Sequence, residues 1–236
     1  MAVETQRAEV MSIRDLSPSV RELILSPLEH KISFKPGQWI SLHLPVGKHP
    51  PLVRAYSMAE PQSPTGYLVL AFDRVPKGLG SGYLFMLKEG DTVVMGGPYG
   101  KFVVPEPLTQ DLLLIARYTG IVPIRSIIRD LFAHKQGQRI TLIYSAPNRE
   151  DFIYHDEFIE LASHHDTFRY VPILSGEDGH SEDIGRPEIQ IITSLFMGRK
   201  DYLPMICGIR TFVHPLRAYF TEMGFWRLEI RQEIYD

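Results

Sequence analysis

Arg54, Tyr56 and Ser57 fall within one tetrapeptide, Arg54-Ala55-Tyr56-Ser57. On an extended segment Arg54 and Tyr56 point to one face and Ser57 to the other. A guanidinium forks onto phosphate, a tyrosine ring lies flat against another aromatic system, and a hydroxyl donates a hydrogen bond. The set suits a phosphate-bearing aromatic ligand, although a barrel strand with an arginine at its rim and a tyrosine in its core would carry the same residues. A second group lies in Asp73-Arg74-Val75-Pro76-Lys77-Gly78-Leu79-Gly80-Ser81. Backbone N–H groups around Gly78 and Gly80, with the Ser81 hydroxyl at a helix start, form a setting for pyrophosphate. The competing reading is an ordinary glycine-rich hairpin.

The second half offers different chemistry. The apolar run Leu112-Leu113-Leu114-Ile115-Ala116 leads into Arg117-Tyr118-Thr119-Gly120-Ile121-Val122-Pro123. Strand, glycine turn and helix together present N-terminal N–H groups to a phosphate, and Pro123 suits a helix's first turn. Cys207-Gly208 sits where another strand should end. A lone buried cysteine is often small core packing. Glu233-Ile234-Tyr235 closes the chain, either as a working strand or as a frayed end.

These residues need elements to position them. The first hundred residues alternate short apolar segments with turns at Pro36-Gly37, Pro45-Val46-Gly47, Pro61 to Gly66, Lys77 to Gly82 and Glu89-Gly90-Asp91. That rhythm predicts a small antiparallel barrel with strands at Ile40–Leu44, Tyr67–Phe72 and Thr92–Met95. Pro105-Glu106-Pro107 reads as a linker. Beyond it the period changes, with Ile124, Ile127, Ile128, Leu131 and Phe132 at helical spacing. Strands are expected at 140–144, 168–174, 203–207 and 227–233, and helices at 151–164, 187–196 and 211–223. The alternation gives an open parallel α/β sheet with ligands at the carboxyl ends of its strands. Gly176 to Asp183 reads as a polar loop.

Composition narrows the function classes. Hydrophobic residues make up 44% and charged residues 22% of 236 positions, an ordinary globular balance. A net charge of −3 gives no basic footprint for nucleic acid. No apolar run approaches the length of a membrane span, and the first residues do not read as a secretory signal, so the cytoplasm is the expected location. One cysteine excludes an internal disulfide and a four-cysteine iron–sulfur cluster within this chain. The nine histidines show no metal-binding spacing, and no metal is expected. No Gly-x-Ser-x-Gly elbow supports hydrolase chemistry.

In this order, and with Gly97-Pro98-Tyr99-Gly100-Lys101-Phe102 between them, the segments resemble the ferredoxin–NADP reductase family of flavoproteins over nearly the whole chain. The resemblance implies residues 1–104 as a six-stranded antiparallel β-barrel that binds FAD, with a short helix near Ser81 to Leu87. It implies residues 109–236 as an NAD(P)-binding α/β domain with a five-stranded parallel sheet flanked by helices. Arg54 would take phosphate, Tyr56 would lie on the flavin ring and Ser57 would donate to N5. Phe72 would belong to the same site, and Gly78, Gly80 and Ser81 would hold pyrophosphate. FAD is expected over FMN, because the family runs an adenosine diphosphate tail along such a loop. Tyr118, Thr119, Gly120, Pro123 and Gly208 would contact NADH or NADPH, with Cys207 near the nicotinamide. Glu233 would sit near N5 and Tyr235 would shield one flavin face. Ser57, Cys207 and Glu233 are thus the catalytic candidates. Arg149 would reach a 2′-phosphate or stand as a solvated loop charge; without a Ser-Arg pair the sequence leans towards NADH.

The implied activity is an NAD(P)H-dependent flavoprotein reductase. Hydride would pass from nicotinamide C4 to flavin N5, and single electrons onward to a protein carrier: a ferredoxin, a flavodoxin or an oxygenase component. One departure stands out. The family pattern Gly-Gly-Thr-Gly-Ile-Ala-Pro begins here with Arg117 and Tyr118. Glycine there permits positive φ and close backbone approach. The replacement is either local drift with the pocket intact or a tyrosine occupying part of the cleft. It keeps open a second reading, a flavin-binding electron-transfer or regulatory subunit without direct NAD(P)H turnover.

Overall fold

The computed structural model describes residues 4–47, 50–135, 137–175 and 184–235; the Gly176 to Asp183 loop and Asp236 lie outside the described residues. The chain divides into two compact units, residues 1–104 with 122–134, and residues 105–121 with 135–236.

The first unit is built on six antiparallel strands: β1 (Thr5–Asp15), β2 (Val20–Pro27), β3 (Trp39–Leu44), β4 (Leu52–Ser57), β5 (Leu68–Asp73) and β6 (Thr92–Tyr99). They are arranged β4-β3-β6-β1-β2-β5. Alternation along each strand sends every second side chain inward, so Gln6, Ala8 and Val10 of β1 are buried while Thr5, Arg7 and Met11 are exposed. The sheet closes on itself just after β4. There Met58 bridges Leu70, and the Ala59 N–H donates to the Val69 carbonyl at 2.7 Å. Closure removes the free edges that an open sheet would present. Leu23, Leu25, Ile40, Leu42, Leu44, Leu70 and Met95 fill the interior with no exposed area. A single short helix, α1 (Leu79–Leu84), interrupts the strands. It starts two residues earlier than Ser81, because Gly78 in extended conformation ends the preceding turn.

The second unit holds β7 (Asp111–Arg117), followed by a 3₁₀ turn at Tyr118–Gly120. Helix α2 (Ile121–Ala133) comes next, and from residue 122 it packs with the first unit. The chain returns through β8 (Ile140–Ala146), α3 (His155–His164), β9 (Phe168–Leu174), α4 (Arg186–Phe196), β10 (Tyr202–Ile209), α5 (Arg210–Glu222) and β11 (Arg231–Tyr235). The five strands are parallel in the order β11-β10-β7-β8-β9. Leu112 to Ala116 are all buried, as a continuous apolar run in a parallel sheet requires. Phe212, Val213, Leu216 and Phe220 of α5 pack with Leu113, Ile115 and Ile206.

In the second unit two boundaries differ most from the sequence expectation. The region from Asp151 does not enter its helix directly. A 3₁₀ turn covers Arg149–Asp151, and Tyr154 in left-handed conformation (φ 61°) precedes α3. The last strand starts at Arg231 instead of Arg227. Gly224 turns the chain at φ 87°, and Glu229 accepts the Trp226 N–H at 2.6 Å, which winds Arg227–Glu229 into a 3₁₀ turn.

Candidate functional site

In the first unit, β4 carries Arg54, Tyr56 and Ser57 as an exposed, a half-buried and a buried residue respectively. Arg54 lies over α1. A Cβ built on Gly80 would stand 3.6 Å from the Arg54 Cγ, 3.2 Å from Leu44 and 3.3 Å from Leu52. Arginine and glycine turn, 26 positions apart in sequence, therefore share one surface. The Ser81 hydroxyl is engaged in the turn itself: its Oγ accepts the Val75 N–H at 3.1 Å. A Cβ on Gly78 would fall 2.8 Å from that Oγ, so glycine is needed for the turn to close this tightly. Around Gly82 a Cβ would meet nothing within 4 Å.

Tyr56 is backed by aromatic rings. Its ring meets Phe72 edge-on at 5.5 Å, and Phe72 meets Phe85 at 5.8 Å. Phe85 is pinned by Arg21, whose guanidinium lies 4.6 Å above its ring and donates to its carbonyl at 2.7 Å. Burial pushes the Tyr56 hydroxyl up to about 12, with Asp73 adding to the rise and Arg54 opposing it; the phenol is neutral at any physiological pH. Phe72 is 3% exposed. It supports the Tyr56 ring from behind and offers almost no surface of its own to a ligand.

Ser57 pairs across the sheet with Trp39, and Trp39 pairs on its other side with Tyr99. The Trp39 and Tyr99 rings lie 4.7 Å apart. At Gly100 (φ 102°) a Cβ would come within 2.8 Å of the Trp39 ring. Trp39 thus joins the Arg54–Ser57 segment to the Gly97–Gly100 segment. Sequence reading passed over it, although a tryptophan opening a strand before two glycine-rich turns was the available signal.

In the second unit the chain order turns back at β7, whose neighbours β8 and β10 are reached by connections of opposite sense. The carboxyl ends of β7 and β10 are therefore the switch point where an open α/β sheet leaves a crevice. Gly120 sits there against the end of β10. A Cβ at Gly120 would lie 2.3 Å from the Cys207 carbonyl oxygen and 3.0 Å from the Gly208 nitrogen. No side chain fits. Gly208 is equally enclosed, 2.9 Å from Phe212 and 3.3 Å from the Arg117 Cβ by the same measure. Thr119 is buried, as is Pro123 in the first turn of α2.

Tyr118 takes φ 50°. The turn has kept the left-handed backbone that a glycine adopts freely, and a tyrosine holds it at a cost of about 1–2 kcal/mol. Arg117 is half-buried; desolvation lowers its pKa and the Glu188 carboxylate works against that fall. Glu188, in the first turn of α4, is 1% exposed, and neither carboxylate oxygen has a hydrogen-bond partner among the described residues. Its sequence position gave no warning, because an acid in a first helical turn is ordinary dipole complementation. Arg149 lies exposed on the 3₁₀ turn after β8.

Cys207, Glu233 and Tyr235 form one group. Cys207 is opposite Glu233 in the parallel register of β10 and β11, and Ile209 is opposite Tyr235. The end of the chain is a paired strand, not a frayed one. Cys207 is wholly buried. Burial drives its thiol well above the usual range, Glu233 pushes the same way, and a hydrogen bond from Tyr235 opposes both. Burial also lifts Glu233 to about 7. Among the described residues no cluster of His, Cys, Asp and Glu is placed to hold a metal ion, and no helix is long and apolar enough to cross a membrane.

Two family models match the chain. Residues 7–104 match the oxidoreductase FAD-binding domain and residues 114–217 the oxidoreductase NAD-binding domain. Ferredoxin–NADP reductase B of Sorangium cellulosum is 32% identical over 242 residues, covering 99% of this chain and 98% of that protein. The reductase component DmpP of phenol 2-monooxygenase from Pseudomonas sp. is 36% identical over 216 residues. The match covers 87% of this chain but only 58% of DmpP. The crystal structure of the Amycolatopsis cytochrome P450 reductase GcoB superposes with a TM-score of 0.84 at 26% identity, over 98% of this chain and 70% of that one.

Glu233 gives the stability of the fold a specific pH dependence. Its folded pKa of about 7 lies above the ordinary glutamate value of 4.5, because burial disfavours the charged form. Folding therefore favours the protonated acid, fully so below the unfolded pKa, and this contribution is lost as pH rises through about 7. Between pH 4.5 and 7.5 the wild type should lose up to about 3 kcal/mol relative to Glu233→Gln. Urea unfolding of both proteins across that range measures the difference; a gap that does not change with pH would rule the effect out.

Proposed function

Because this chain belongs to the ferredoxin–NADP reductase family of FAD- and NAD(P)-binding oxidoreductases, we propose that it is an NAD(P)H-dependent flavoprotein reductase. Its acceptor is a one-electron protein carrier. The observation that carries the reading is the shared surface of Arg54 and Gly80. A guanidinium stands beside the glycine turn that opens α1, on a strand whose end bears Tyr56 and Ser57. This fits FAD: Arg54 with the Gly78–Ser81 turn would hold the pyrophosphate, and Tyr56 would offer a neutral, rigidly backed ring. Ser57 would donate a hydrogen bond to the flavin. When bound, FAD converts two-electron into one-electron chemistry.

The second unit supplies the nicotinamide half. Thr119, Gly120 and Gly208 pack closely at the switch point, and Tyr118 and Arg117 flank them. Cys207 keeps its proton at neutral pH, so it acts there as a neutral neighbour and not as a base. Burial raises the Glu233 carboxyl to about 7, which makes it a group able to take up or release a proton near neutral pH. Exposed Arg149 is the candidate for a 2′-phosphate, and NADH is the expected donor. The relatives named above include a ferredoxin–NADP reductase and the reductase component of a phenol monooxygenase, which supports a ferredoxin or an oxygenase component as partner. Tyr118 favours the second reading, a flavin-binding subunit without NAD(P)H turnover.

Purified protein should be yellow, with about one FAD per chain, and anaerobic NADH should bleach it. Arg54→Ala should weaken FAD retention by roughly 1.5–3 kcal/mol, the worth of a charge-assisted contact. Colourless protein that cannot be reconstituted ends the flavin reading; yellow protein that neither NADH nor NADPH bleaches selects the second one.

The turn itself is tested by the double change Arg117→Gly, Tyr118→Gly. Glycine relieves the left-handed strain at 118 and removes the ring, so NADH should bind more tightly in a titration followed by flavin reduction. Weaker binding would show instead that Arg117 has taken over a phosphate contact. A change smaller than about 0.5 kcal/mol, the scatter of a neutral surface substitution, would mean that this turn touches no dinucleotide.

A further inference from the structure

Helix α2 lies inside the segment matched by the NAD-binding domain, yet residues 122–134 belong to the compact unit of the barrel. Its attachment is specific. Arg125 is 5% exposed, and its Nη1 donates to the Ala59 carbonyl at 3.0 Å and to Glu60 Oε1 at 2.8 Å. One helical turn further on, Arg129 Nε reaches the other Glu60 oxygen at 2.8 Å. Ile127 packs beside Gly37, where a Cβ would collide with the Phe102 carbonyl oxygen.

Ile127 alone would glue the helix to the barrel. A buried arginine adds direction, because its planar fork satisfies a backbone carbonyl and a carboxylate at once and tolerates little displacement of either. Its target is Ala59–Glu60, two and three residues beyond Ser57. That segment is held from other sides as well: the Met58 N–H donates to the Gln38 carbonyl at 3.2 Å, and the Ala59 N–H donates to Val69. Ser57 and Tyr56 are the last residues before this clamp, so their orientation follows from it.

We propose that Arg125 is a positioning residue for the flavin site, fixing the backbone that aims Ser57 and Tyr56 even though it comes from the NAD-binding segment. This rests on reading Arg54–Ser57 as the flavin site. Glu60 is its partner in that role and Arg129 steadies Glu60.

The test uses the full-length protein and its FAD. Arg125→Met, Arg125→Lys and Glu60→Gln are compared with Ile127→Val, which perturbs the same helix without touching the clamp. Each is measured for FAD affinity by reconstitution of the apoprotein, for the visible band of bound flavin, and for thermal midpoint. Arg125→Met should weaken FAD binding by about tenfold or more, the equivalent of one lost charge-assisted hydrogen bond, and shift the flavin band. Lysine should recover part of both. Ile127→Val should lower the midpoint and leave the band in place. If Arg125→Met lowers the midpoint but leaves FAD affinity and band unchanged, the arginine is an anchor only and the proposal is overturned. Should Arg125→Met fail to fold, unchanged affinity and band in Arg125→Lys and Glu60→Gln overturn it equally. Failure of the underlying reading looks different, because the wild type itself would then bind no FAD.

Discussion

Barrel closure at Met58 and Ala59 is the constraint from which the first unit takes its order. A six-stranded sheet has two edges, and here they meet through the Met58–Leu70 bridge and the Ala59–Val69 hydrogen bond. The strand that must reach this seam is β4, and its last residues are Tyr56 and Ser57. Where the sheet closes, the backbone cannot drift. The chemistry-bearing end of β4 therefore inherits rigidity that an open edge would not give it. The same seam presents Ala59 and Glu60 to Arg125. Trp39, paired with both Ser57 and Tyr99, extends the fixed region across β3 to β6.

The second unit depends on a close approach instead. The turn after β7 runs against the Cys207–Gly208 peptide with no room for a Cβ at Gly120. Two parallel strands and a turn thereby share one patch of bare backbone. Glycine is required at 120 by space, whereas at 118 only the backbone angle is demanding. A side chain at 118 is costly but feasible; at 120 it would force strands apart.

Much of this was legible in the sequence because it rests on local pattern. Leu112 to Ala116 announced a doubly buried strand, and Ile124 to Phe132 an amphipathic helix. The turn residues of the first hundred positions announced a barrel. The boundaries that moved were decided by interactions that no period encodes: the left-handed Tyr154 before α3, and Glu229 capping Trp226 ahead of β11. Arg54, Gly80 and Ser81 were legible as chemistry, but their meeting was not, since it depends on α1 folding back over β3 and β4. Trp39, Arg125, Glu60 and Glu188 were missed for a related reason. Trp39 did carry a signal in its type and place, but Arg125, Glu60 and Glu188 are unremarkable in both, and their importance comes from burial and from partners far away in the chain. Phe72 was read as a ligand contact, yet its place is behind Tyr56.

The state of Cys207 bears on how durable this molecule is. Thiolate, not thiol, reacts with oxidants and alkylating agents. Burial and the neighbouring carboxylate of Glu233 keep the sulfur of Cys207 protonated, and no solvent reaches it. The oxidation ladder from sulfenic to sulfonic acid is entered through an exposed, low-pKa sulfur, and this one has neither property. The chain thus carries its one cysteine in the form that peroxide attacks most slowly.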